Sequence, residues 1–127
     1  MLKEVRNNRS VLIVEDQMII ALMLEKMVMS MGHTVVGKVT SGEAAVEAVK
    51  EHDPDLILMD IRLQGKMDGV EAMKKINEQI RKPVIFVTGN SDEAQRQRVK
   101  EIDHLDFLVK PVSYNDLTKS MNKAKAS

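Results

Sequence analysis

Five short apolar runs recur along this chain, at Val11–Val14, Thr34–Val39, Leu56–Met59, Val84–Val87 and Phe107–Val109. They are rich in Val, Ile and Leu and lack strict alternation with polar residues, the pattern of strands covered on both faces. Helical segments follow them, near 17–31, 42–51, 70–80, 92–102 and 113–124. Each has roughly the ten to fifteen residues that a crossover between parallel strands needs. The repetition predicts an α/β fold: a doubly wound, five-stranded parallel sheet with helices on both faces. At 127 residues the chain is one domain by size, with its core over about residues 10–125.

The boundaries carry their own chemistry. Thr40 with Glu43 makes a capping box for the second helix, Ser113 with Asp116 suits the start of the fifth, and Asp68-Gly69 opens the third. Gly32 sits where the first helix stops, a position favouring a left-handed residue. Pro54 and Pro83 precede the third and fourth strands, where they interrupt no ladder.

In a parallel sheet all strand-to-helix loops leave along one edge, and ligands bind there near the point where the strand order reverses. On that edge fall Glu15-Asp16, Asp60, Thr88 and Lys110-Pro111. The histidines His33, His52 and His104 fall in helix-to-strand connections on the opposite edge, which argues against zinc and histidine-based catalysis. Clustered carboxylates repel one another unless a cation sits among them. Oxygen-only ligands suit a hard divalent ion, magnesium above all, since it accepts a phosphate while keeping its waters. An aspartate beside such an ion can attack phosphorus, with Lys110 and the Thr88 hydroxyl placed to share the charge on the transferred group.

Composition narrows the classes further. A formal net charge of zero argues against electrostatic attraction to nucleic acid or membrane. No cysteine is present, which excludes disulfides and thiolate metal sites. Aromatics make up 2%, so aliphatic residues and ten Met must build the core. "MLKEVRNNRS" has no apolar centre for a signal peptide, and "MIIALML" is too short to span a bilayer. A soluble, cytoplasmic domain is expected. "GHTVVGKV" nearly matches a P-loop, but Val39 stands where Ser or Thr is required and the segment is itself a strand. The mildly basic "KSMNKAKAS" reads as a solvated helix end, its lysines favourable to the dipole.

"VLIVED", "DLILMD", "MDGVEA", "VIFVTG" and "FLVKP" stand in order and at compatible spacing. Together they resemble the receiver domain of two-component response regulators over essentially the whole chain. The resemblance implies a flavodoxin-like fold with strand order 2-1-3-4-5. It implies Asp60 as phosphoacceptor and magnesium held by Glu15, Asp16, Asp60 and the backbone carbonyl of Arg62. It further implies Thr88 and Lys110 as phosphoryl ligands, a cis Lys110–Pro111 bond, and a switch in which Thr88 and Phe107 move on phosphorylation. The implied partners are a histidine kinase or histidine phosphotransfer protein and a downstream protein target. The chain itself would be a monomer or a weak, phosphorylation-dependent dimer, catalysing only its own phosphorylation and dephosphorylation.

Several positions depart from the common pattern. Glu15 stands where Asp is more frequent, the loop from Asp60 to Asp68 is one residue longer, Gln64-Gly65 replaces a Met-Pro pair, and Gly89 follows Thr88. Arg62 and Asn90 occupy the two positions where the family tunes phosphate lifetime. In the first helix Ile20, Leu24, Met27, Val28 and Met31 form a core stripe, leaving Met18, Leu22 and Met29 on the outer side as a docking surface for a kinase helix. No effector domain is expected after the fifth helix. A phosphorelay intermediate, a receiver cut from a hybrid kinase and a non-catalytic flavodoxin-like binding module stand as alternatives. A metal-dependent phosphatase of similar topology would carry an aspartate at the position of Arg62.

Overall fold

The computed structural model describes residues 8–89 and 93–125. The order is β1 (Ser10–Val14), α1 (Met18–Ser30), β2 (Thr34–Val39), α2 (Gly42–His52), β3 (Leu56–Met59), α3 (Gly69–Asn77), β4 (Val84–Thr88), α4 (Glu93–Val99), β5 (Asp106–Val109) and α5 (Tyr114–Lys125). All four strand pairings are parallel and the sheet order is β2-β1-β3-β4-β5, as expected. The strand order reverses between β1 and β3, because the chain leaves β1 for one edge of the sheet and then returns to its other side.

The strand period of two explains why the runs show no polar alternation. Leu12, Val14, Ile57, Met59, Val84 and Phe86 face one way, into a core completed by Ala45, Val49, Met73 and Ile76 of α2 and α3. Val11, Ile13, Leu56, Leu58, Ile85 and Val87 face the other, against Ala21, Leu24 and Val28 of α1 and Leu117 and Met121 of α5. Both faces are buried, so both parities are apolar.

Gly32 takes φ +92 after α1, and Asp68 and Glu71 form a reciprocal capping box at α3. At the start of α5 the Asp116 amide donates to Ser113 Oγ. One cap differs from expectation. The N-cap of α2 is Ser41, whose Oγ accepts from the Ala44 amide, so Thr40 and Glu43 form no capping box. Ser41 has the extended backbone an N-cap requires, and Glu43 is committed to a contact elsewhere. α3 ends at Asn77, earlier than expected, although the Glu78 and Ile80 amides still donate to Lys74 and Ile76 in a frayed last turn, and the Asn77 side chain accepts from the Lys82 amide. α4 ends at Val99, yet Lys100, Glu101 and Ile102 donate to Gln97, Arg98 and Val99, so the helix tightens into 3₁₀ turns through Ile102. The expected start of that helix near 92, like Asn90, lies outside the described residues. No described helix is long and apolar enough to cross a membrane.

Candidate functional site

Glu15, Asp60 and Lys110 are each placed by a strand that runs one step past its formal end. The Glu15 amide donates to Val39 O at 2.9 Å, the Asp60 amide to Val14 O at 2.9 Å, and the Lys110 amide to Thr88 O at 2.8 Å. These bonds extend the ladder and fix the backbone from which the side chains project. Asp60 is also clamped in sequence, since Met59 before it and Ile61 after it are fully buried. The Lys110–Pro111 bond is cis, as expected.

The side chains meet at the C-terminal edge of β1, β3 and β5. Lys110 Nζ lies 2.6 Å from Glu15 Oε1 and 2.9 Å from Asp60 Oδ2. Glu15 and Asp60 are almost wholly buried, at 2% and 5% exposure. Glu15 Oε2 accepts from the Gln17 amide at 3.0 Å. Its Oε1 is buried and faces the Lys110 ammonium as its one close polar neighbour among the described residues. Burial pushes the Glu15 carboxyl above the ordinary glutamate value, against the opposing pull of Lys110 and the Gln17 amide. Burial works against the Lys110 ammonium too, but Glu15 and Asp60 outweigh it and hold its pKa above that of an ordinary lysine.

Asp16, Gln17, Asp60, Arg62, Thr88, Gly89 and Lys110 line an open cleft of about 590 Å³. One carboxylate oxygen from each of Glu15, Asp16 and Asp60 falls within 4.8 Å of the others. This donor set fits a hard divalent cation: it is all oxygen, and it gathers three carboxylates, two of them buried, around a single ammonium. Among the described residues no histidine or cysteine joins the cluster.

A family model described as response regulator receiver domain matches residues 11–122. The chain belongs to the response regulator receiver domain family. It is 33% identical to the transcriptional regulatory protein PdtaR of Mycobacterium tuberculosis over 91% of its own length, and spans 56% of that relative. It is 31% identical to chemotaxis protein CheY of Bacillus subtilis, covering 89% of this chain and 94% of that one. The signal receiver domain of a modulated diguanylate cyclase from Desulfovibrio desulfuricans superposes with a TM-score of 0.84 at 35% identity, over 94% of this chain and 98% of the other.

In this receiver domain Glu15, Asp16, Asp60, Arg62, Thr88 and Lys110 lie at one edge, with Thr88 buried at the end of β4 and Arg62 exposed at the cleft. Phe107 is half-buried against the core under α2 and α3, and the Arg96 guanidinium lies 5.0 Å from its ring centroid. The outer face of α1 is exposed at Met18, Leu22 and Met29, and equally at Ile19 and Met23. Three features went unread in the sequence. Gly69 packs on the Asp60 backbone, where a Cβ would overlap the Asp60 carbonyl oxygen. Gln17 lines the cleft although it is the N-cap of α1 and makes no side-chain cap bond. Arg98 of α4 grips Asp68 with its two terminal guanidinium nitrogens, at 2.7 and 3.1 Å. Only the glycine had a local signal, since it stands at the first position of a helix beside the loop that begins at Asp60.

Proposed function

We propose that the chain takes a phosphoryl group from the phosphohistidine of a histidine kinase or phosphotransfer protein onto Asp60. The supporting observation is the Lys110 ammonium joined to Asp60 Oδ2 within a cluster of three carboxylates at the strand-order switch point. Glu15, Asp16, Asp60 and the Arg62 carbonyl would hold Mg2+, which when bound supplies positive charge against the oxygens of the transferred group. A carboxylate oxygen of Asp60 forms the new bond to phosphorus as the bond to the imidazole nitrogen breaks, and the imidazole leaves with its electron pair. Lys110 stays beside Asp60 throughout, so its charge is preorganised for the developing negative charge. Thr88 donates its hydroxyl to a phosphoryl oxygen.

The output is a changed protein-binding surface. Movement of Thr88 toward the phosphoryl group frees space near Phe107, whose ring turns from its place under Arg96 and alters the face of α4, β5 and α5. The kinase or phosphotransfer partner docks on the outer face of α1, through Met18, Leu22 and Met29. The protein works in the cytoplasm as a monomer or weak phosphorylation-dependent dimer, signalling to a protein target without touching nucleic acid itself. The test is incubation with magnesium and acetyl phosphate followed by intact mass measurement. Wild type gains one phosphoryl group and Asp60→Asn gains none; equal gain by both proteins contradicts the assignment.

A further inference from the structure

The loop joining β3 to α3 is held by the start of α2, a neighbour distant in sequence. Gln64 pairs with Ser41 in an isolated parallel bridge. Gly65 turns the chain at φ +89, and the following Lys66 amide donates to Glu43 Oε2 at 3.2 Å. The loop backbone lies directly on that carboxylate, since a Cβ at Gly65 would stand 2.8 Å from Glu43 Oε1. Glu43 is exposed and outside both hydrophobic cores, so its side chain serves the loop and not the packing of α2.

The geometry points to Glu43 as a positioning residue for the magnesium site, acting through Lys66 and Gly65 on the Arg62 carbonyl. This rests on the magnesium reading above. Glu15 and Asp60 are fixed by ladder bonds just past their strands, whereas Arg62 lies further along the loop that the strap holds. The loop's additional residue gives it length to wander, and the left-handed Gly65 with the Glu43 strap takes up that length. The strap needs an acceptor of glutamate's reach and does not need its charge.

The test is calorimetric titration of the full chain with magnesium chloride alone. Glu43→Ala is expected to weaken magnesium binding about 5-fold, the worth of one ordinary hydrogen bond. Gly65→Ala, strained at positive φ and pressed on the carboxylate, weakens it similarly, and the double variant is little worse than either alone because the two share one strap. Glu43→Gln keeps the acceptor and binds within about 2-fold of wild type. The urea midpoint of metal-free Glu43→Ala stays near wild type. Unchanged binding by Glu43→Ala overturns the inference alone. So does equal weakening by Glu43→Gln, which would mean that bulk charge and not the strap is felt. If wild type binds no magnesium, the metal reading falls and takes this inference with it.

Discussion

Gly69 lies against the peptide that follows Asp60: its amide donates to Ile61 O at 2.7 Å, and a Cβ there would overlap the Asp60 carbonyl oxygen and approach Met59 Cγ to 2.9 Å. The first turn of α3 is thus packed onto the backbone that carries the proposed phosphoacceptor. Gly69→Ala must move either the helix or Asp60. The expected cost is about 2 kcal/mol of stability, as for overpacking elsewhere, measured by urea unfolding. Labelling by acetyl phosphate should slow as well, because Asp60 is displaced from Lys110.

The single Lys110 ammonium is shared between two buried carboxylates. Lys110→Ala leaves Glu15 and Asp60 facing each other, and a loss of about 3 kcal/mol is expected in magnesium-free buffer at pH 7.5. The pH trend follows from Glu15. Burial already raises its pKa, and loss of the ammonium raises it further. A carboxyl with a raised folded-state pKa costs stability as pH rises and restores it as pH falls. The deficit of Lys110→Ala should therefore shrink between pH 7.5 and pH 5, read from urea midpoints. A deficit that grows on acidification would contradict the ion-pair account.

Asp68 titrates in the opposite sense. Burial raises its pKa, but Arg98 together with the Glu71 and Val70 amides outweighs burial and holds the carboxyl below the ordinary aspartate value. Its stabilisation is complete above the unfolded value of about 3.9 and is lost as pH falls through the lower folded value. Asp68→Asn keeps a capping oxygen but removes the charge. That variant should lose less stability than wild type on acidification below about pH 4, and its advantage should shrink in Arg98→Ala.

The outer face of α1 carries no core role at Leu22, which is 44% exposed. Leu22→Glu is expected to change stability by less than about 0.5 kcal/mol. Labelling by acetyl phosphate should match wild type, while phosphotransfer from a partner kinase or phosphotransfer protein falls about 10-fold. Equal slowing with both donors would place Leu22 in the chemistry instead of in docking.

The sheet was legible because its strands are buried on both faces, so Leu56–Met59 and its counterparts stand out as unbroken apolar runs. The edge residues followed from parallel topology, which puts Glu15, Asp60, Thr88 and Lys110 together without further information. Tertiary contacts decided what sequence pattern missed. Thr40 and Glu43 had capping-box spacing, yet Ser41 took the cap and Glu43 strapped a loop over twenty residues away in sequence. Nothing local marks Arg98 as the partner of Asp68, since the pair spans two helices.

The most direct measurement locates the phosphoryl group. After exposure to magnesium and acetyl phosphate, borohydride reduction converts an aspartyl phosphate to homoserine, and peptide mass spectrometry reads its position. Homoserine is expected at residue 60 with Asp16 unmodified, and the signal should be lost when magnesium is chelated. Homoserine at Asp16, or no reduced residue in protein whose fold is intact, would contradict it.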